Sequence, residues 1–354
     1  MDPFIYEQVS RRVVFGTGTR RQVRAEAERL GLKHIVVLST REQSEHALEV
    51  ADILGSSAAG NFSEAVMHTP LEVTERALAV VKAKGADGIV AVGGGSTIGL
   101  GKAIALRTDL PQIVIPTTYA GSEMTPILGE TSGGRKTTQS TSKVLPEVAI
   151  YDVDLTLTLP PALSATSGMN AVAHAVEALY AKDKNPIISL MGSEGIAALA
   201  RALPRITKRP HDVEARFDAL YGAWLCGICL GTVGMALHHK LCHVLGGLFN
   251  LPHAEMHTIV LPHSVAYNAP AAGEAMHRVR LALGVTDAAT GLYELASRLG
   301  APRALKDIGV PIGGIDVAVD QALANPYWNP RPLERAALHQ LLERAYDGAP
   351  PAID

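Results

Sequence analysis

The sequence is poor in several features that whole protein classes require. It has three cysteines in 354 residues, Cys226, Cys229 and Cys242. The Cys226-Gly227-Ile228-Cys229 spacing suits a redox or zinc site. It lies, however, in the apolar run Tyr221 to Leu230, which reads as a buried helix, where free cysteines serve as small core residues. Positive charge is not in excess: 32 Lys and Arg stand against 35 Asp and Glu, net −3, so no footprint for nucleic acid is present. No uncharged apolar run of about 18 residues occurs, so no membrane span is indicated. The segment Met1-Asp2-Pro3-Phe4-Ile5-Tyr6-Glu7 has no apolar core of the signal-peptide kind, and a cytoplasmic location is expected. There is no low-complexity linker.

What is present fits a globular chain of two domains: 47% of the residues are hydrophobic, enough for sizeable cores. Residues 1–156 alternate strand and helix signals. Arg12 to Gly16 reads as a strand, then a helix to Leu30. His34 to Ser39 is a compact apolar run, followed by a helix over 42–54. Ala65-Val66-Met67 is a candidate short strand, and a helix from Thr74 to Lys84 leads into the apolar strand Gly88 to Val92. Another strand, Gln112 to Pro116, follows a helix over 98–107. This alternation predicts an α/β domain with a parallel sheet covered on both faces. Residues 127–154 are polar and predict a hairpin plus a last strand at Val148 to Tyr151. From Pro160 nearly everything has helical period, in ten segments between 162 and 346, which predicts an all-α domain over 157–354. The cleft between two such domains is the expected place for an active site.

Two stretches carry chemistry in the first domain. Gly93-Gly94-Gly95-Ser96-Thr97 ends a buried strand and opens a helix, so backbone N–H groups face outward where an anion can approach closely. It is not the usual dinucleotide pattern, and alone it is equally a tight turn. A second polar loop, Thr117-Thr118 with Gly121-Ser122, ends the next strand, and two such loops make a nucleotide crevice.

In the second domain, Ser167 to Leu261 holds six of the 13 histidines. Asn170 and His174 share a helix face at i, i+4, and so do His239 and His243. With His253 they suit a metal site in which one ligand is altered. His238 must point away from His239 and is expected on the surface. His257 faces the pocket or caps a helix start. His263 reads as structural. Glu177, one turn beyond His174, either orients that ring or is solvated.

Together these stretches resemble the iron-containing alcohol dehydrogenase superfamily, which includes dehydroquinate synthase-like proteins. The matching pieces are Gly93 to Ser96 with Lys102, Pro116-Thr117-Thr118 with Gly121 to Thr125, Gly168 to Glu177, and His243 to His263. Within it the chain is similar to the maleylacetate reductases on three features. Asn170 stands where the metal enzymes have aspartate, and the segments Arg135 to Thr138 and Asn325 to Pro332 are like theirs. The resemblance implies a dehydroquinate synthase-like fold, usually a homodimer. It implies NADH- or NADPH-dependent reduction of 2-maleylacetate to 3-oxoadipate in the breakdown of aromatic compounds. It places the family's metal ligands on Asn170, His174, His239 and His253, and the histidine nearest the nicotinamide on His243. Pyrophosphate contacts fall on Gly94, Gly95 and Ser96. Thr117, Thr118, Ser122, Thr125 and Lys136 line the rest of the cofactor site, in a loop one residue shorter than in typical metal-dependent members.

An amide at 170 brings a dipole in place of a charge, and three histidines plus an amide bind a divalent ion more weakly than with a carboxylate. Reduction of a C=C bond conjugated to a ketone builds charge on an enolate oxygen, which imidazole or lysine donors can stabilise. The expectation is therefore no required metal, with His243 first as proton donor or enolate stabiliser and His253, His239 and His174 around it. The second strand ends Leu38-Ser39-Thr40-Arg41 without an acid at Thr40, so NADPH is expected to serve as well as NADH. The substrate is expected to be a small dicarboxylate, with Lys240, Arg331 and the histidines as candidate cations and donors. The rival readings are a metal-dependent alcohol or polyol dehydrogenase, against which Asn170 stands, and a nucleotide-binding regulator without catalysis.

Overall fold

The structure is a computed structural model that describes Phe4, Tyr6 and residues 11–133, 135–325 and 327–352; the side chains of Arg135 and Lys136 lie outside the description. Two compact units emerge, Gln8–Leu159 and Pro160–Asp354 together with Met1–Glu7.

Among the described residues the first unit has eight strands: β1 (Arg12–Gly16), β2 (Ile35–Leu38), β3 (Ala58–Phe62), β4 (Gly88–Gly93), β5 (Gln112–Pro116), β6 (Ile127–Ser132), β7 (Arg135–Ser140) and β8 (Val148–Asp152). Six form one parallel sheet in the order β1-β8-β5-β4-β2-β3, and β6 and β7 pair as an antiparallel hairpin. Helices α1 (Val23–Arg29), α2 (Ser44–Leu54), α3 (Leu71–Ala83) and α4 (Gly95–Thr108) intervene. The strands are apolar on both faces because both faces are covered. Ile35, Val37, Val90, Val92, Ile113 and Ile115 pack with Val23, Ala27, Ala47 and Val50 on one side. Val36, Leu38 and Ile89 pack with Ala77, Val81, Leu100 and Ile104 on the other. Each such aliphatic side chain contributes about 1.5–3 kcal/mol on full burial, so the sheet is the rigid base on which the strand-end loops stand.

One expected strand is displaced. β3 occupies Ala58–Phe62, while Val66 and Met67 are about half exposed in the loop that follows. Ala-Ala-Gly-Asn-Phe has little strand character of its own. Parallel pairing with β2, Val36 to Gly60 and Leu38 to Phe62, sets its conformation, as tertiary context often does at an edge strand.

The second unit is helical: α5 (Pro161–Leu179), α6 (Pro186–Lys208), α7 (Val213–Thr232), α8 (Leu237–Phe249), α9 (His253–Asn268), α10 (Gly273–Leu283), α11 (Ala288–Arg298), α12 (Gly314–Ala324) and α13 (Arg335–Asp347). Helix α6 is long and apolar enough, by length and composition, to cross a membrane, although half of its apolar window is buried inside this unit against α5 and α7. Its charges at Glu194, Arg201, Arg205 and Lys208 are why no uncharged run was evident in the sequence. Cys226 and Cys229 are buried in α7, and burial pushes both thiols up, Cys229 to about 12. They are inert core groups. Helices α8, α9, α12 and α13 share one core that includes Leu241, Leu245, Met256, Val260, Val319 and Leu342.

Candidate active site

In the sheet unit, the strand order turns back between β2 and β4. In such sheets a nucleotide lies outside the carboxyl ends of the strands at that switch point. Gly93 there has φ +154°, and a Cβ on it would sit 2.4 Å from Thr97 Oγ1, so glycine is required for the entry into α4. Gly94 precedes the helix, Gly95 is exposed and Ser96 half-buried at its start. Pairing of Gly93 with Pro116 and the hydrogen bond from Thr117 N to Gly93 O (3.1 Å) bring the second loop alongside. The approach is so close that a Cβ on Gly94 would lie 2.8 Å from Thr118 Cγ2. Gly94, Gly95, Ser96, Thr117 and Thr118 are thus gathered at one strand end.

Beneath them lies a residue that sequence reading matched but gave no role. Lys102 is fully buried on α4, and its ammonium donates to Ser122 O (2.6 Å), Thr125 O (2.9 Å), Thr125 Oγ1 (2.9 Å) and Ile127 O (2.9 Å). Burial pulls its pKa down to about 7. The Thr125 hydroxyl, expected among the cofactor contacts, is committed to Lys102 and to Ser122 O (3.1 Å) and is buried. Its place is structural, because a buried ammonium needs acceptors on several sides. Ser122 keeps a half-buried position at the loop surface. Lys136 lies on β7, opposite Thr131, and its side chain is outside the described residues.

In the helical unit, α5 presents Asn170, His174 and Glu177 as one stripe, α8 presents His239 and His243, and α9 begins at His253 and brings His257 one turn later. Ring centroids of His174 and His239 are 5.2 Å apart, His239 and His257 5.1 Å, His239 and His243 6.3 Å, and His253 and His257 4.2 Å. Asn170, His174, His239 and His257 are buried; His243 and His253 are exposed at the rim. Four enclosed atoms, Asn170 Oδ1, His174 Nδ1, His239 Nε2 and His257 Nε2, have no hydrogen-bond partner. Unpaired polar atoms are costly when buried and uncommon, and four in one cluster mark a place for a ligand. Burial and the neighbouring rings hold the His174 and His257 imidazoles well below their ordinary pKa, so both are neutral.

Three expectations are corrected here. Glu177 does not orient His174. Its carboxylate accepts from His239 Nδ1 (2.6 Å) and from the backbone N–H groups of Ala236 (3.0 Å), His238 (2.8 Å) and His239 (3.3 Å). It therefore caps the positive end of α8 and ties α5 to it. Burial alone would raise its pKa, but His239 and His238 with the Ala236 amide bring it down to about 2. Because a carboxylate only accepts, Nδ1 of His239 is the donor, and Nε2 is the atom turned toward a ligand. His238 is not on the surface. It is fully buried, with Nε2 3.0 Å from His257 Nδ1 and Nδ1 3.3 Å from Ser264 Oγ. Arg331 does not await a carboxylate: it donates to Tyr267 O (3.1 Å) and stacks on the Tyr267 ring, 4.4 Å from its centroid. His263 is buried, as a structural residue would be, and burial brings it down to about 4. His257 and His238 are the site residues that reading the sequence undervalued. The i, i+4 spacings His253–His257 and His238–Cys242 were the available signals.

The donor set at Asn170, His174, His239 and His253 contains no anion, and the nearby carboxylate, Glu177, is saturated by His239, three amides and the Tyr180 hydroxyl. Three imidazoles and an amide hold a divalent iron or zinc ion more weakly than three imidazoles and a carboxylate. His238, Cys242 and His257 also lie within 4.8 Å of one another. There the two imidazoles bond each other, and burial pushes the Cys242 thiol well up, so the group is a packed hydrogen-bonded cluster.

A glycine-rich strand-end loop in one unit and a histidine pocket on helices in the other mark a class of oxidoreductases. The chain belongs to the iron-containing alcohol dehydrogenase family: the family's description matches residues 10–153, and its C-terminal part, the Fe-containing alcohol dehydrogenase family, C-terminal, matches 164–346. It is similar to the maleylacetate reductase of Rhizobium sp. (strain MTP-10005), 56% identical over 351 residues, covering 99% of this chain and 100% of that protein. The crystal structure of maleylacetate reductase from Agrobacterium tumefaciens superposes with a TM-score of 0.96 at 55% identity, over 99% of this chain and 100% of that one. A structure from Ralstonia eutropha JMP134, provisionally described as an alcohol dehydrogenase, gives 0.98 at 57% identity over the same shares.

Proposed function

We propose that the protein reduces the conjugated C=C bond of 2-maleylacetate to give 3-oxoadipate, using NADH or NADPH and no metal ion. The observation that carries the metal-independent reading is the donor set itself: the imidazoles of His174, His239 and His253 and the amide of Asn170, with no carboxylate among them. A bound reduced nicotinamide supplies the hydride. Gly94, Gly95 and Ser96 hold its pyrophosphate through backbone N–H groups, and Thr117, Thr118 and Ser122 line the adjoining loop. When hydride reaches the alkene carbon β to the ketone, the electron pair moves onto the ketone oxygen. The imidazoles of His243, His253 and His174 surround that oxygen as hydrogen-bond donors, and His239, its Nδ1–H held by Glu177, packs among them. His243, exposed on α8, delivers a proton to the carbon α to the ketone as the enolate returns its electron pair and the C=O re-forms, and solvent replaces that proton. His257, bonded through Nδ1 to His238 with Nε2 left open, fixes the rings around it.

The test follows the loss of reduced-nicotinamide absorbance with 2-maleylacetate, with 3-oxoadipate identified as product and metal content measured before and after chelation. Metal-free enzyme at full rate supports the reading. Stoichiometric metal with loss of activity on its removal would sink the metal-free part. No turnover of maleylacetate, together with metal-dependent oxidation of ethanol or propanediol, would replace the reaction with that of an alcohol dehydrogenase. Arg41, exposed after β2 beside Thr40, is the proposed neighbour of a 2′-phosphate. Arg41→Ala is expected to lower kcat/KM several-fold with NADPH and leave NADH unchanged. The reading includes a homodimer and a cytoplasmic reaction, with no nucleic-acid or membrane partner.

A further inference from the structure

Residues 327–332 are seated over the first turn of α8. Asn329 does the seating: its Nδ2 donates to Asn268 Oδ1 (2.7 Å) and to Arg331 O (2.7 Å). Its Oδ1 accepts from Asn268 Nδ2 (3.0 Å) and Leu237 N (3.3 Å). This places Tyr327 against Lys240, the residue after His239, with the ammonium 5.2 Å from the ring centroid. The tyrosine is half-buried, but its hydroxyl is fully enclosed and has no hydrogen-bond partner, as with the unpaired imidazole nitrogens of the same unit. Burial, then the Glu177 charge, keep that phenol protonated far above neutral pH. Among the described residues the Lys240 ammonium meets the Tyr327 ring and no carboxylate.

An ammonium can only donate, and a protonated phenol brings an O–H that donates. A ligand that satisfies them brings acceptor atoms and negative charge, and Glu177 cannot, since its oxygens are already taken by His239 and three amides. We propose that Tyr327 and Lys240 form a carboxylate subsite that holds the methylene-side carboxylate of the substrate. The assignment rests on the reading above, that the substrate is an enone with two carboxylates. The methylene-side carboxylate is one carbon from the ketone, so it lies beside the imidazoles that hold the ketone oxygen. The other carboxylate is bonded to the carbon that takes the hydride. Charged hydrogen bonds of this kind are strong enough to set substrate affinity.

The experiment compares the full-length wild type with Tyr327→Phe, Lys240→Met and Lys240→Arg on two substrates: 2-maleylacetate and cis-4-oxopent-2-enoate, which lacks the methylene-side carboxylate. Tyr327→Phe and Lys240→Met are each expected to raise KM for maleylacetate about tenfold or more, with kcat within about threefold and NADH affinity unchanged. Lys240→Arg is expected to recover most of the loss. With the monoacid, wild type and variants are expected to behave alike. Thermal unfolding of each variant separates binding from folding. Equal penalties on both substrates, or none on either, would overturn the subsite. Failure of the wild type to reduce maleylacetate would overturn the substrate reading itself, a different result from an active wild type indifferent to both substitutions.

Discussion

Lys102 and the histidine pocket are two ways of burying polar groups, and they behave oppositely. In the sheet unit one ammonium is enclosed with three carbonyls and a hydroxyl around it, so its hydrogen-bonding capacity is filled and it fixes the loop over residues 122–127. In the histidine pocket of the helical unit four polar atoms are enclosed with none of them paired. The first arrangement is stabilising because it is complete. The second is tolerated at a cost in stability because a ligand completes it. At Lys102 buried polarity is filled and holds the fold, and in the histidine pocket it is left open to a ligand.

Glu177 belongs to both kinds, so its replacement has the largest expected effect. Glu177→Gln removes a buried charge that caps α8 and orients His239. Maleylacetate reduction is expected to fall about a hundredfold and stability by about 3–5 kcal/mol, read by kinetics and denaturant unfolding. The acid side follows with a definite sign. The folded pKa of Glu177, about 2, lies below the unfolded carboxylate value, so its contribution is complete above about 4.5 and is lost as pH falls toward 2. His238 is held down to about 3 by burial, so the unfolded chain takes up its proton first and stability also falls between about 6.5 and 3. Unfolding free energy measured against pH should therefore decline from about 6.5 downward, with a shallower slope below 4.5 in Glu177→Gln. An identical slope in both proteins would show that Glu177 is not held low.

Lys102→Met keeps the stem and leaves three carbonyls without their donor. A stability loss of about 2–4 kcal/mol is expected, together with weaker NADH binding by fluorescence titration as the loop loosens. His174→Leu is the opposite case. Replacing an unpaired buried imidazole by an apolar group should leave the melting temperature unchanged or raise it, while activity drops at least about tenfold. If His174→Leu destabilises as much as Lys102→Met, the contrast between the two regions is broken. The smallest effect is a gain: Asn170→Asp restores a carboxylate to the three-imidazole set and should increase zinc or iron retention through gel filtration, at unchanged fold. Equal metal content in both proteins would show that the charge at 170 does not govern the site.

Particular elements show why some of this was readable in advance. The apolar runs at Ile35–Leu38, Gly88–Gly93 and Gln112–Pro116 needed no tertiary information, because a strand covered on both faces must be apolar at every position. The Gly93 turn was visible because only glycine accepts both its φ and the contact with Thr97. The edge strand β3 was not visible, since its conformation comes from pairing with β2. Nor was the role of Lys102, whose acceptors lie 20 to 25 residues away along the chain.

By itself the sequence determined the two-part layout and the faces on which Asn170, His174 and Glu177, or His239 and His243, must appear, because helical period is a local property of the chain. Tertiary structure alone decided that Glu177 reaches across to His239 and the start of α8, that His238 turns inward to His257, and that the hydroxyl of Tyr327 is left unpaired. The first two of these join residues 19 to 62 positions apart, and only the packing of one helix or strap on another sets which atoms meet.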